Sequence, residues 1–265
     1  MTLPLRVHAT THVGLVHPTN EDSYAVGPAD DAGLLLLVLV PGQRALAAAV
    51  AMPDRFSAEA ARQVLADGGN AVDAAIAATF TLAVTYPEAG NIGGGGFMLA
   101  FMGGEAAFLD FREKAPGKAE RDMYLDEGGN FVQRDSLIGG RASGVPGTVR
   151  GMWAAHQRFA NLPWKRLLQP AIDLAGNGFE VAPALAAYAR DKVVEVNGET
   201  NFAAYFGDMK AGATFRQPEL AATLKRIAED PDDFYTGETA RLLVAQMIRD
   251  GGLISAADLG AYNAV

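Results

Sequence analysis

The chain has 265 residues, and its 22 lysines and arginines against 31 aspartates and glutamates leave a formal net charge of −9. An apolar content of 49% with 20% charged residues is typical of a chain that folds around a sizeable core, and it excludes a disordered protein. The acidic balance argues against a nucleic-acid partner, and the absence of cysteine excludes disulfides, thiolate nucleophiles and cysteine-ligated metals.

Residues 1–40 form an atypical N-terminal segment that differs in character from the rest of the sequence. The segment contains three of the four histidines, His8, His12 and His17, and their spacing fits no metal site. Within it, residues 10–26 are predicted to form two strands joined by a turn. Because the histidine spacing fits no metal site, no metal is predicted, and no cofactor is predicted for the chain.

An apolar run at Gly33–Val40 has two interpretations. It is far shorter than the about 20 residues of a membrane-spanning helix, so no stable membrane span is predicted. With the small residues that follow it, the stretch 33–51 resembles the apolar part of an export signal, but Asp30 and Asp31 precede it where a signal has basic residues. A buried strand is the other interpretation, and the sequence leaves both open.

From residue 51 onward the apolar residues follow regular periods. Ser57 is the predicted N-cap of a helix over residues 58–65, and Asn70 is the predicted N-cap of a second helix over residues 71–86. The second helix carries alanine on every face, which lets neighbouring elements approach closely. We therefore expect it to be buried.

Two strands are predicted next, over residues 97–102 and 106–111, around a turn at Gly103 and Gly104. A glycine-rich segment, residues 90–96, precedes them. The second half is mostly helical. The predicted helices cover residues 146–159, 164–176, 183–196, 218–228, 237–249 and 255–262. This order predicts an α+β fold.

Three segments stand out: GGNAVDAA at 68–75, GNIGGGGFM at 90–98 and DFREKAP at 110–116. Glycine runs form tight turns or allow close backbone packing, and they also let backbone N–H groups approach a substrate. A phosphate-binding loop is excluded, because neither of its usual glycine motifs is present in the required context.

Arg112 follows the second predicted strand and is the candidate binding residue. A surface salt bridge to Asp110 or Glu113 is the structural explanation, and such pairs contribute little. The functional explanation is a guanidinium fork that binds a substrate carboxylate through two parallel hydrogen bonds.

In their order along the chain, the three segments resemble the large subunit of the γ-glutamyltranspeptidase family, also called γ-glutamyltransferase or glutathione hydrolase. The resemblance covers residues 48–265. It continues through SGVPGT at 143–148, LPW at 162–164, QPAI at 169–172, GF at 178–179, QPELA at 217–221, FYTG at 234–237, GGLI at 251–254, DL at 258–259 and AY at 261–262.

The resemblance implies an N-terminal-nucleophile hydrolase with an αββα sandwich, made as one precursor that cuts itself into a large and a small subunit. It implies that Arg112 holds the α-carboxylate of a γ-glutamyl donor such as glutathione, and that a threonine at the new N-terminus attacks the γ-amide. Release to water or to an amino acid or peptide gives hydrolysis or transpeptidation. It also implies a periplasmic or secreted enzyme.

The family's small subunit, with its nucleophilic threonine, has no counterpart in these 265 residues, so no catalytic residue is assigned. The expectation is a truncated large subunit with an incomplete sandwich that is inactive alone. The alternative is a non-catalytic γ-glutamyl-binding or assembly module.

Residues 1–40 weakly resemble the start of a metal-dependent protein phosphatase of the PPM type, through HVGLV at 12–16 and NEDSY at 20–24. In that family the acidic pair, here Glu21 and Asp22, helps to bind two divalent cations. The expected Asp-Gly-x-Gly segment is replaced by Pro41-Gly42-Gln43, and one acidic pair is too few ligands. The segment is therefore interpreted as a vestige or a fusion.

Overall fold

The computed structural model describes residues 36–40, 47–102, 104–196 and 198–265, and the side chains of 36–40 and 47–49 are outside the description. The predictions for the first 35 residues therefore lie outside the described residues. These are the two strands of residues 10–26, the three histidines and the phosphatase-like acidic pair.

The described chain begins with an antiparallel hairpin of β1 (Leu36–Val40) and β2 (Ala47–Ala51), with Leu36 opposite Ala51. A strand over Leu36–Val40 agrees with the strand interpretation of the apolar run, whose first three residues are not described.

Helix α1 (Arg55–Ala66) begins three residues earlier than predicted. Its N-cap is Asp54, whose carboxylate accepts hydrogen bonds from the backbone N–H and the hydroxyl of Ser57, both at 2.7 Å. The prediction of Ser57 as the N-cap is therefore wrong, because the carboxylate three residues before it accepts from the Ser57 N–H, a free donor of the first turn.

Helix α2 (Ala71–Thr85) follows the prediction closely. The side chain of Asn70 accepts from the N–H groups of Val72 and Asp73, and the Asp73 carboxylate accepts from the Asn70 N–H, which completes a capping box. The helix is buried on nearly all sides and packs against α1 and two later helices, as its alanine content predicts.

A second hairpin joins β3 (Phe97–Met102) to β4 (Glu105–Asp110), as predicted, with Phe97 opposite Asp110. Its inner face packs on the core through Ala100, Ala107 and Leu109. Its outer face is apolar and exposed, and it consists of Phe97, Leu99, Phe101 and Phe108. We call these four residues the outer hairpin face.

The rest of the chain is mostly helical, as predicted. Helix α3 begins at Thr148 rather than at Pro146, because the N–H groups of Gly147 and Thr148 both donate to the carbonyl of Gly94. The elements are α3 (Thr148–Phe159), α4 (Trp164–Asn177), β5 (Phe179–Glu180), α5 (Pro183–Val196), α6 (Phe202–Phe206), β6 (Thr214–Phe215), α7 (Pro218–Glu229), α8 (Asp233–Thr236), α9 (Glu238–Arg249) and α10 (Ala256–Gly260), with 3-10 turns at Gln133–Ser136 and Gly140–Ala142.

The core lies where α2, α4 and α7 pack together. Leu167 and Leu168 of α4 and Leu224 of α7 are fully buried there. The indole N–H of Trp164 donates to the backbone carbonyl of Ile227 over 2.9 Å, which ties α4 to α7. None of the helices in the described residues has both the length and the hydropathy that a bilayer span needs.

Candidate functional site

Arg112 lies two residues beyond the end of β4, against the glycine-rich segment. A Cβ atom on Gly95 would lie 2.4 Å from the carbonyl oxygen of Phe111 and 2.8 Å from the Cα of Arg112. Gly96 and Phe111 exchange backbone hydrogen bonds of 3.3 and 2.9 Å. The sequence-predicted Arg112 and the glycine run are therefore brought together, and only glycine at position 95 allows this approach.

The start of α3 closes the other side of this junction. The carbonyl of Gly94 accepts from the N–H groups of Gly147 and Thr148 at 2.7 and 3.0 Å. A Cβ on Gly147 would lie 2.0 Å from the Phe111 carbonyl oxygen and 2.1 Å from the hydroxyl oxygen of Tyr262. Three stretches of backbone and the side chain of Tyr262 thus meet at one tightly packed point.

The side chain of Arg112 points away from this packed backbone and is 64% exposed. Its Nε lies 4.0 Å from a carboxylate oxygen of Glu113, and its guanidinium carbon lies 5.7 Å from the ring centroid of Phe97. Asp110 instead accepts a 2.9 Å hydrogen bond from the Arg112 backbone N–H. A long, exposed pair with Glu113 holds the guanidinium weakly, so the fork is accessible to a ligand.

Tyr262 holds the backbone of Arg112. Its hydroxyl donates to the Arg112 carbonyl oxygen over 2.7 Å, and the Lys114 Nζ lies 5.0 Å from its ring centroid. The residue is 2% exposed. Burial, helped by the nearby carboxylates of Asp110 and Glu113, raises the pKa of Tyr262 to about 12. The hydroxyl therefore keeps its proton and remains a donor at neutral pH.

Tyr235 packs against the ring of Tyr262. The two rings stack with centroids 5.9 Å apart and an interplanar angle of 14°. The Tyr235 hydroxyl donates to the Pro146 carbonyl at 3.2 Å and accepts from the Arg150 N–H at 2.9 Å. The Arg150 guanidinium carbon lies 4.3 Å from the Tyr235 ring centroid, and its fork pairs with Asp232. Burial raises the pKa of Tyr235 well above its usual value.

This arrangement can bind an anion. A guanidinium stays protonated and has no lone pair to act as a nucleophile, so Arg112 can orient a carboxylate but cannot attack an amide.

The model of the gamma-glutamyltranspeptidase family matches residues 57–265.

The chain belongs to the gamma-glutamyltranspeptidase family.

Relatives of known name agree with this assignment. The chain is 59% identical over 216 residues to the glutathione hydrolase proenzyme of Pseudomonas aeruginosa, and 44% identical over 229 residues to that of Escherichia coli. These matches cover 81% and 84% of this chain but 39% and 40% of the relatives, so the chain spans about two fifths of their length.

The fold is also that of the family. A gamma-glutamyltranspeptidase from Pseudomonas nitroreducens complexed with L-DON superimposes with a TM-score of 0.81 at 58% identity, covering 82% of this chain and 65% of that chain. The gamma-glutamyltranspeptidase of Helicobacter pylori superimposes with a TM-score of 0.80 at 39% identity, covering 85% and 66%.

Reasoning from the sequence singled out Arg112 and the glycine segment as candidates but gave no role to Tyr262 or Tyr235. Both tyrosines occur in segments that carry the family resemblance, FYTG and AY. Their position in these segments was the signal that the sequence offered for the two tyrosines. It did not show which backbone group each hydroxyl contacts.

Proposed function

We propose that this chain forms the donor-binding part of a γ-glutamyltransferase, an enzyme that hydrolyses glutathione or transfers its γ-glutamyl group to amino acids or peptides. The observation that carries the proposal is the exposed guanidinium of Arg112, mounted on backbone that the glycine segment and Tyr262 hold in place. Such an anchored fork suits a ligand whose recognition depends on one fixed carboxylate.

The chemistry of the donor explains why this residue is needed. A γ-glutamyl amide differs from an ordinary peptide in that its α-carboxylate and α-amine are both free. Two parallel hydrogen bonds from Arg112 would hold that carboxylate and so fix the position of the γ-amide for attack. Lysine offers a point charge without this planar geometry.

We propose that the attacking threonine comes from a second polypeptide, the small subunit of the family. The named relatives are proenzymes, and this chain spans about two fifths of their length. The threonine's own free amine would act as the base that activates its hydroxyl. No catalytic residue is assigned to the described part of this chain.

The outer hairpin face is the surface that this second polypeptide would cover. Leu99 and Phe101 are 77% and 71% exposed on a hairpin whose other face is already packed on the core. A sheet of the small subunit laid on this face would complete the two inner layers of an αββα sandwich. A contiguous exposed apolar face of this kind is typical of an interaction surface.

Donor binding is tested by titrating the chain with glutamate and with glutathione. We expect Arg112→Ala to abolish measurable binding and Arg112→Lys to weaken it, while Arg121→Ala, at a side chain 96% exposed, leaves it unchanged. In the enzyme assembled with a family small subunit, where the partner excludes water, Arg112→Ala should weaken donor capture by about 2–5 kcal/mol. Unchanged donor binding in the Arg112 variants would refute the assignment.

Assembly is tested by mixing the chain with a small-subunit polypeptide of the family and measuring release of a γ-glutamyl anilide. We expect Leu99→Glu with Phe101→Glu to prevent assembly, and Ile248→Glu, at an equally exposed apolar side chain, to permit it. Donor binding by the chain without any activity in the mixture would instead support a non-catalytic γ-glutamyl-binding module.

A further inference from the structure

A cavity of about 500 Å³ lies between the glycine segment, the C-terminal end of α2, the short helix α6 and the start of α7. Asn91 and Gly93 line it, whereas Arg112 and Tyr262 do not. The cavity is thus separate from the donor-binding residue, and its volume is within the range of sites that hold one small molecule.

The lining combines an apolar wall with two opposite charges. Ile92, Phe206 and Leu220 supply apolar surface. Arg216, two residues before α7, supplies a guanidinium, and Glu219, in the first turn of α7, supplies a carboxylate. A ligand that carries an apolar group together with one positive and one negative charge matches this lining.

Neither charge is neutralised within the described residues. The Arg216 Nε donates to the Asn177 carbonyl over 3.0 Å, which orients the guanidinium but leaves its two terminal amino groups without a carboxylate. Glu219 forms no ion pair with any described lysine or arginine. Both residues are exposed. Hydrogen bonds to ionised groups are the stronger class, and no described ion pair occupies these two side chains.

The backbone between the two charges is fixed. The Gln217 N–H donates to the Ala175 carbonyl, and its side-chain amide donates to the Val84 carbonyl, both at 2.8 Å. These bonds tie the start of α7 to α4 and α2, so Arg216 and Glu219 are mounted on an anchored segment. Anchoring of this kind reduces the conformational entropy lost on binding.

We propose that this cavity binds a free α-amino acid with an apolar side chain. Its carboxylate would pair with Arg216, its ammonium with Glu219, and its side chain would contact Ile92, Phe206 and Leu220. This goes beyond the proposed function, because it adds a second binding site that shares only the glycine segment with the donor site.

The test is calorimetric titration of the full chain with L-phenylalanine, N-acetyl-L-phenylalanine and L-phenylalaninamide. The two analogues each lack one charge, and we expect each to bind at least about tenfold more weakly than phenylalanine. Arg216→Ala should make phenylalanine and its amide equal in affinity, and Glu219→Gln should make phenylalanine and its N-acetyl derivative equal. These paired losses would assign each charge of the ligand to its residue.

A blocking variant and a control complete the experiment. A Cβ at Gly93 meets no atom within 4 Å, so Gly93→Leu should fold normally and abolish phenylalanine binding. Arg112→Ala should leave phenylalanine binding intact, which separates this site from the proposed donor site. Equal affinity for all three probes, no binding at millimolar concentrations, or full binding by Gly93→Leu would overturn the proposal.

Discussion

The hydroxyl of Tyr262 donates a 2.7 Å hydrogen bond to the carbonyl oxygen of Arg112, joining two residues 150 positions apart in the chain. The bond ends on the backbone of Arg112 and leaves the guanidinium free. Tyr262 therefore fixes the backbone of Arg112 without occupying the guanidinium, as is expected of a positioning residue.

Removing this hydroxyl should weaken both the fold and the proposed donor site. We expect Tyr262→Phe to lower the free energy of unfolding by about 1–2 kcal/mol, because the carbonyl of Arg112 loses its hydrogen-bond donor. It should also weaken glutathione binding, by less than Arg112→Ala does. Urea denaturation and calorimetry measure the two effects.

Tyr205→Phe is the matched control, since Tyr205 is 52% exposed and its hydroxyl bonds to no described residue. Its free energy of unfolding should stay within about 0.5 kcal/mol of the parent. If both variants lose the same stability, the Tyr262 bond has no special role.

A methyl group at Gly147 should disrupt the junction at Arg112. The added Cβ would lie 2.0 Å from the Phe111 carbonyl oxygen, so the backbone must move. We expect Gly147→Ala to destabilise the fold by about 3 kcal/mol or more, as overpacking and broken backbone hydrogen bonds add together. Thermal unfolding compares it with Gly93→Ala, whose Cβ meets open space. Equal melting temperatures would contradict the packing described here.

Asp73 should contribute strongly to stability although it does not line the cavity described above. Its fully buried carboxylate accepts hydrogen bonds from the backbone N–H groups of Asn70, Asn161 and Leu162, at 2.8 to 3.1 Å for the shortest bond to each. Asp73→Asn replaces one carboxylate oxygen by an NH2 group, which cannot accept from these N–H donors. The substitution should destabilise the fold by about 3 kcal/mol.

Denaturant titration measures this loss against Asp135→Asn, an exposed carboxylate in a 3-10 turn that should change stability by less than about 0.5 kcal/mol. Equal losses in the two variants would show that the hydrogen bonds to Asp73 contribute little.

Asp233 should make the stability of the chain sensitive to acid. Burial opposes its ionisation, but hydrogen bonds from the Thr239 hydroxyl and from the N–H groups of Glu238 and Thr239, with Arg226 nearby, hold its pKa below the usual value. A pKa lowered by folding stabilises the native state above the unfolded-state pKa of about 3.9. This stabilisation is lost as the pH falls from about 4 through the lower pKa of the folded state.

We therefore expect Asp233→Asn to be less stable than the parent at pH 7 and the difference to shrink below about pH 4. Urea denaturation at a series of pH values tests this. A stability difference that stays constant across the acid range would rule out the carboxylate as its source.

Much of the architecture could be predicted because its signals are local. The Asn70 cap, the α2 helix that it begins and the hairpin around residues 103–104 all depend on residues within a few positions of each other. The N-cap of α1 was predicted wrongly because Asp54 and Ser57 are both good N-cap residues. Only the structure shows which side chain accepts the hydrogen bond from the first turn. Helix α6 escaped prediction because its five residues show too little of a helical period.

The candidate site was only partly predictable. The glycine run and Arg112 are separated by about one hairpin, and pairing of its two strands necessarily brings their ends together. Tyr235 and Tyr262 reach the same place from the far end of the chain, through the packing of α3, α8 and α10.

The sequence by itself determined the family, through its spaced motifs. It also determined most of the longer helices, the hairpin and the presence of a guanidinium beside a glycine segment, because caps, periods and short hairpins act over a few residues. The tertiary structure alone decided that Tyr262 clamps Arg112, that Gly147 leaves no room for a side chain, and that Arg216 and Glu219 line one cavity. These contacts join residues that are distant in the chain or depend on how whole helices pack, and no local pattern encodes that packing.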